Sequence, residues 1–251
     1  MKKLFVPIFL NTIKMKSVWL YWIFGLIPFV VMIAMSINSN FLQISGEKGT
    51  LSALEFFSMV FGILHNLIIP SIVLAFIVSK LFYEELHSGI IFMYKDINRN
   101  SILNSKWLSL FLVQLIFLFI LFLSSIIVYF VYLKGFDFSS GQFLPISKYL
   151  ATTLVPTLTL YLVEILTINF AILFSLYLST GFTIVATLVF LFFITIGSML
   201  NTAKYVIPTG YDDSITKLGG GIVALISLTI FFVYFIVTYI FIIKKHKNIE
   251  Y

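Results

Sequence analysis

WLSLFLVQLIFLFILFLSSIIVYFVYL, residues 107–133, is a run of 27 residues without a single charged side chain. An α-helix rises about 1.5 Å per residue, and about 20 apolar residues cross a hydrocarbon core that is about 30 Å thick. A helix that is apolar on every face has no polar side to turn toward water, so it cannot lie at the surface of a soluble protein. This stretch therefore predicts a transmembrane helix, and it fixes the solvent of the whole protein as lipid.

The rest of the chain has the composition of a membrane protein. Of its 251 residues, 61% are hydrophobic and 10% are charged, whereas a soluble chain carries roughly 25% charged residues. Cysteine is absent, which excludes disulfides, thiolate metal sites and cysteine nucleophiles. The net charge of +6 comes from lysines in short connections and not from a basic folded domain, so we expect a lipid bilayer and no nucleic acid as partner.

Uncharged runs separate the chain into spans. Two of these runs are separated only by Glu164 and together cover residues 149–203, which is long enough for two passes, and the polar turn at 179–181 is the predicted break between them. Backbone groups must be paired in lipid, so each run is predicted to be helical, and no alternation of a membrane barrel is present. We therefore predict an all-α integral membrane protein with six transmembrane helices, at about 18–37, 56–79, 107–133, 150–178, 182–200 and 221–243.

Basic residues orient the spans. With the N-terminus inside, 11 of the 16 basic residues lie on the cytoplasmic side and five outside. This bias predicts that both termini are cytoplasmic. Arg99 is the single arginine, and this bias toward lysine with abundant Ile, Phe and Asn indicates an AT-rich bacterial genome, so we expect a bacterial cell membrane. The first apolar run is too long for the apolar region of a signal peptide.

The first 17 residues are predicted to form a separate N-terminal element. On a helix, Phe5, Phe9 and Ile13 share one face with Ile8, and the lysines point elsewhere. We expect this amphipathic helix to lie along the inner leaflet, with a transmembrane domain at 18–251. A frayed polar tail is the alternative.

The longest cytoplasmic connection is predicted at residues 80–106, KLFYEELHSGIIFMYKDINRNSILNSK. It mixes acidic, basic and apolar residues, as short amphipathic helices that dock on a partner do, and it lacks the composition of a disordered linker. An acidic residue, Glu85, is followed by Gly89 four positions later. An apolar stretch, a turn containing Asp96 and ending in Arg99, an Ile-Leu pair and Lys106 at the membrane complete the pattern.

This pattern and the six-span layout resemble the permeases of the ABC-2 type exporter family. The resemblance implies that a separate ABC ATPase subunit binds ATP and engages residues 80–106 as a coupling loop, in which Glu85, Gly89, Asp96, Arg99 and Lys106 take part. It also implies a homodimer or a heterodimer with a related permease. The small size and lysine-rich character are similar to permeases of bacteriocin and lantibiotic immunity or peptide export. Solvated loop charges without a coupling role are the alternative.

The sequence agrees that energy must come from elsewhere. The only glycine cluster, residues 219–221, has no Lys-Ser or Lys-Thr after it and opens a membrane span, so it is no phosphate-binding loop. We expect no cofactor and no enzymatic activity of the chain itself. Almost uncharged spans favour a hydrophobic or amphipathic peptide as the cargo, because dry walls cannot replace the water around an ion or a sugar.

Four polar residues are candidates for a substrate pathway. Glu164 and His65 lie inside predicted spans, where a charge costs about 2.5–3.5 kcal/mol. Each either packs helices together through a hydrogen bond or lines the pathway, and Glu164 has a third possibility, an interfacial position near Pro156. Asp212 and Asp213 lie in the outer segment at 201–218 and form either the exit of the pathway or a solvated turn.

Two other classes of protein remain as alternatives. An ion-coupled secondary transporter would have internal repeats and several midplane charges, and no repeat is evident. An intramembrane enzyme would have to use His65 with Glu84 and Glu85, which a continuous helix would hold on the order of 30 Å apart. The chain contains neither an HExxH nor a GxSxG motif.

Overall fold

The computed structural model describes residues 2–37, 48–89 and 98–247, and these are helical with no strand. Five helical segments are long and apolar enough to cross a membrane, and a bent pair of shorter helices would make a sixth. The prediction of an all-helical membrane protein is confirmed to that extent. The helices are α1 Lys2–Ile13, α2 Lys16–Ile23, α3 Ile27–Ser36, α4 Ala53–Asn66, α5 Ile69–Ser79, α6 Glu85–His87, α7 Arg99–Val131, α8 Ser147–Ser175, α9 Thr180–Met199, α10 Ile215–Leu218 and α11 Gly220–Lys247.

The N-terminal helix α1 is separate from the first span, because Met15 between them has an extended backbone. Phe9 and Ile13 of α1 pack against the main core, and α1 contacts α7. The first span consists of α2 and α3, joined by a 3₁₀ turn at Phe24–Leu26. A Cβ on Gly25 would lie 2.9 Å from Ile120 of α7, so glycine permits this close helix crossing.

The predicted second span is a bent pair of helices, which corrects the prediction of one helix at 56–79. Helix α4 ends at Asn66, α5 begins at Ile69, and the two axes differ by 66°. Pro70 explains the break, since proline has no N–H and its ring clashes with the carbonyl four residues earlier, that of Asn66. The chain turns through Ile68, whose φ of 60° is an outlier for a β-branched residue.

The helices on both sides of the connection at 80–106 extend into it beyond the predicted ends of the spans. Helix α5 continues through a π-helical turn at Lys80–Glu84 into α6. Helix α7 already begins at Arg99, where the side chain of Asn98 accepts a hydrogen bond from the Asn100 N–H. The last turn before residue 90 ends at Gly89 with a φ of 74°, a conformation that favours glycine after a helix.

Helix α8 is the centre of the bundle. Over its most apolar window 61% of residues are buried, against 28% or less in the first, fifth and sixth spans. It contacts α4, α5, α9 and α11. Between α8 and α9 the chain leaves the helical conformation at residues 176–179, at the polar turn indicated by the sequence. His65, Tyr21 and Lys106 each take part in a buried polar contact with a residue of α8 or α7, or belong to one of these helices.

The polar connections gather at two opposite ends of the bundle. At one end, Ser79 donates to the Thr180 hydroxyl at 3.0 Å, and Tyr239 of α11 donates to Asn104 of α7 at 2.6 Å. At the other end, Tyr129 donates to the Leu51 carbonyl at 2.7 Å. We call the first of these the loop end and the second, after the orientation predicted from the sequence, the outer end.

Candidate functional site

A buried histidine and a buried glutamate meet in the middle of the bundle. His65 Nδ1 of α4 lies 2.7 Å from Glu164 Oε1 of α8, and the two side chains are 6% and 7% exposed. Glu164 is the eighteenth residue of α8, so it lies about 25 Å from one helix end and about 17 Å from the other. The structure thus brings into contact two residues whose approach was possible from the sequence but could not be decided from their spacing.

The partners stabilise each other in a place where neither is stable alone. An isolated ion in a protein interior of low dielectric constant costs several kcal/mol, and the same holds for a charge at membrane depth. The 2.7 Å separation is that of a charge-assisted hydrogen bond. The contact between α4 and α8 therefore depends on polar chemistry, and Thr157 of α8 adds a second hydrogen bond by donating to the Ser58 hydroxyl of α4 at 2.7 Å.

The helix break lies directly beside this pair. His65 is the penultimate residue of α4, and the last carbonyls of a helix have no N–H partner within it. A cavity of about 70 Å³ adjoins the break, and its polar lining comes from His65, Asn66 and Thr195. The remaining lining residues are apolar, and the volume has room for more than one water molecule beside the three polar side chains.

Two further polar contacts surround the pair, and sequence reasoning missed both. Tyr21 of α2 donates to Gln114 Oε1 of α7 at 2.5 Å, and Trp107 Nε1 donates to Asn169 Oδ1 of α8 at 2.6 Å. Gln114 and Asn169 are fully buried. The available signal was an amide side chain inside an uncharged run, because such a group in lipid needs a partner.

At the loop end, the structure joins two of the predicted coupling residues. Lys106 Nζ lies 2.7 Å from Glu85 Oε2 and donates to the Leu81 carbonyl at 2.6 Å. The Lys106 side chain is 3% exposed and that of Glu85 is 22% exposed. Lys106 is therefore an anchor between the π-helical turn and α7 and does not reach the surface.

The other predicted coupling residues lie nearby or outside the described residues. Arg99 is the first residue of α7, and Gly89 ends the helical part after α6. Asp96 lies outside the residues that the structure describes. The coupling role of all five residues stays a prediction.

The outer segment between α9 and α11 folds against the bundle. Thr159 of α8 donates to Asp212, at 2.9 Å from Oδ2 and 3.2 Å from Oδ1, and Ser227 donates to the Pro208 carbonyl at 2.6 Å. Ile207 packs between Leu191 and Ile194. Asp213 is exposed. The alternative of a simple solvated turn therefore does not describe Asp212.

Burial raises the pKa of Asp212 to about 7; the Thr159 hydrogen bond lowers the pKa and the nearby Asp213 charge raises it further. A carboxyl whose pKa is higher in the folded state binds its proton more tightly there than in the unfolded chain. The stabilisation is complete below the unfolded value of 3.8 and is lost as the pH rises to about 7. Ionisation of Asp212 thus opposes docking of the outer segment.

The residues suggested for an intramembrane enzyme do not form one site. Glu85 pairs with Lys106, Glu84 is exposed, and His65 pairs with Glu164. Among the described residues no three His, Cys, Asp or Glu side chains are arranged to hold a metal ion.

The chain matches no protein-family model, no curated protein and no solved structure.

Proposed function

We propose that the chain is the transmembrane permease subunit of an ATP-driven exporter of the ABC-2 type, with its ATPase on a separate subunit. The observation that carries the proposal is the anchored base of the connection between the second and third spans. Lys106 joins the π-helical turn to α7 through Glu85 and the Leu81 carbonyl. A partner that pushes on this connection moves α5 and α7 together, because the ion pair is largely buried.

A hydrophobic or cationic amphipathic peptide is the proposed cargo. A cavity of about 210 Å³ lies under the outer segment, with Phe170, Phe193 and Tyr234 among its lining residues. Its walls offer almost no group that could replace water around an ion or a sugar, and this supports an apolar occupant. Asp212 and Asp213 lie in the segment that covers this cavity, where acidic groups would attract a cationic peptide.

The proposal is tested by isolating the protein from its own cells with an affinity tag. We expect an ATPase with a Walker A sequence to co-purify and to hydrolyse ATP in the complex. Arg99→Glu should reduce its recovery at least tenfold, while Lys244→Glu, a charge reversal elsewhere at the loop end, should not. Absence of such an ATPase, or full recovery with Arg99→Glu, would contradict the proposal.

The cargo is tested separately with cells that lack the chain. We expect them to become sensitive to membrane-active cationic peptides and to remain as resistant as the parent to small hydrophilic drugs. Sensitivity that is confined to the hydrophilic drugs would refute the peptide assignment.

An ion-coupled secondary transporter is the second candidate, and the broken second span favours it. Transporters of that class place half-helix ends and titratable groups near the bilayer midplane, and the His65–Glu164 contact in the middle of the bundle supports such a placement here. Reconstitution in vesicles separates the two candidates. Uptake driven by an ion gradient without ATP would favour the secondary transporter, and strict dependence on the ATPase and ATP would exclude it.

Orientation in the bacterial cell membrane follows from the charge bias and is proposed with both termini in the cytoplasm. The cysteine-free chain allows single-cysteine labelling with an impermeant thiol reagent in intact cells. Cysteine at Ser139, at the outer end, should react, and cysteine at His87, at the loop end, should not. The reverse result would invert the proposed topology.

A further inference from the structure

We propose that His65 and Glu164 form a proton-binding site in the middle of the bundle, and that the cavity at the helix break supplies its protons. The site would exist in either of the two transporters considered above, so the inference does not depend on the energy source. It assigns a ligand, the proton, to a pair whose contact could otherwise serve only to hold α4 against α8.

The order of the groups gives the site a direction. His65 and Asn66 line the cavity, and Glu164 lies behind His65 at 2.7 Å. A proton that arrives with water in the cavity therefore meets the imidazole first and the carboxylate second. Imidazole suits this position because it exchanges one ring proton while it holds another.

The net charge of the pair decides how many protons it holds. Neutral His65 beside ionised Glu164 leaves one buried negative charge, and full protonation of both groups leaves one positive charge. One shared proton makes the pair neutral overall, which is the state that a surrounding of low dielectric constant favours. The site therefore stores a single proton and exchanges it when water in the cavity reaches His65.

Of the other titratable groups near the pair, Asp212 can carry a negative charge, and it accepts a hydrogen bond from Thr159, which lies about 7.5 Å before Glu164 along α8. Tyr21 of α2 lies close enough to be affected by the Glu164 charge, and Tyr161 lies one turn before Glu164 on α8. The sequence has no Asp, Glu, Lys, Arg or further His in 69–79, 107–133, 180–199 or 221–243, the parts of the neighbouring spans that enclose the pair. On α4 the only other such group is Glu55, which lies about 15 Å along the helix from His65. No second charge nearby compensates the pair.

The break beside the site supplies a movable element. Ile68 holds a left-handed backbone conformation that costs of the order of 1–3 kcal/mol. A small rotation there changes the cavity that Ile68 lines together with His65. Proton exchange and the angle between α4 and α5 are linked for this reason.

A chemical test uses dicyclohexylcarbodiimide, an apolar reagent that reacts with protonated carboxyl groups in apolar surroundings. The carboxyl O–H adds across one C=N bond, its hydrogen moves to nitrogen, and the acyl group then shifts to nitrogen without a leaving group. In purified protein in lipid nanodiscs we expect mass spectrometry to find the adduct on Glu164, with a yield that increases as the pH is lowered. Glu164→Gln should abolish the adduct.

Two variants at His65 sharpen this test. His65→Phe and His65→Gln remove the cationic partner of Glu164, so both should increase the adduct at neutral pH at least threefold over the unmodified protein. A hydrophilic carbodiimide should label exposed Glu84 and leave Glu164 unlabelled. No adduct on Glu164 at any pH, or equal yields with and without His65, would overturn the proposal.

Access of water is tested independently with cysteine at Asn66. A small hydrophilic thiol reagent should modify Asn66→Cys at least tenfold faster than Ile63→Cys. Ile63 lies three residues earlier on the same helix and is exposed on its surface, but it does not line the cavity. Equal rates at the two positions would show that water does not reach His65 through the cavity, and would overturn the proposed supply of protons.

Discussion

Removal of Glu85 is predicted to cost more stability than removal of its partner Lys106. In Glu85→Gln the ammonium group, which is 3% exposed in the native pair, loses its counter-charge and keeps only uncharged acceptors, the Leu81 carbonyl and the new amide oxygen. Loss of one partner from a fully buried pair costs about 3–5 kcal/mol. Because Glu85 is 22% exposed and some water can replace it, we expect the lower end, about 3 kcal/mol.

The reverse change leaves a less costly defect. In Lys106→Met the apolar stem is kept beside Phe82, and the Glu85 carboxylate turns to water, so the loss should be about 1 kcal/mol. The double variant has neither charge, so no buried charge is left without a partner, and it should also lose about 1 kcal/mol. The double-mutant cycle then gives a coupling energy of about 3 kcal/mol.

The measurement is the free energy of unfolding in mixed micelles, by titration with a denaturing detergent, for the four proteins of the cycle. Lys80→Met is the matched control, because Lys80 belongs to the same π-helical turn and is more exposed than Lys106. This change should alter stability by less than about 0.5 kcal/mol. Equal losses in the two single variants that add up in the double variant would refute a buried anchor at this position.

Three other predictions concern the outer segment and the helix break. Hydrogen exchange in 204–218, corrected for intrinsic rates, should slow as the pH falls below about 7, and Asp212→Asn should remove this dependence. Gly210→Ala should lower the free energy of unfolding by about 2 kcal/mol, because the added Cβ would collide with the Lys204 carbonyl. Gly221→Ala, whose Cβ would meet open space, should not change it. Equal effects of the two changes would contradict the packing around Gly210. Ile68→Gly should stabilise the fold by about 1 kcal/mol in detergent unfolding, since glycine tolerates the positive φ, and a loss would argue against strain there.

The positions of the spans follow from sequence because the cost of a charge in lipid restricts where charges occur. The runs without charge end close to the helices of the structure, for example at α9, predicted at 182–200 and found at Thr180–Met199. The break of the second span also had a signal, Pro70. Proline alone did not decide it, since membrane helices tolerate proline when neighbours satisfy the freed backbone groups.

The pairing of polar residues was beyond the sequence for geometric reasons. His65 and Glu164 are 99 positions apart, and their contact depends on how the two helices are shifted along and rotated about their axes. The periodicity of apolar residues does not determine that rotation when every face of a helix is apolar. Lys106 was expected at the membrane surface. It is buried instead, because the π-helical turn places Glu85 and the Leu81 carbonyl where both contact its ammonium group. Nothing in residues 80–84 distinguishes a π turn from an α turn.

The distribution of polar contacts explains why movement would concentrate at the helix break. Helix α4 is tied to α8 by His65 and Glu164, while the π-helical end of α5 is tied to α7 by Lys106. To separate either pair would expose a charge to apolar surroundings at a cost of several kcal/mol, whereas rotation about Ile68 releases backbone strain. A displacement of α5 with α7 therefore bends the chain between the two anchors. The bend lies beside the cavity that His65 lines, so a push at the loop end changes access to the proposed proton site without breaking either ion pair.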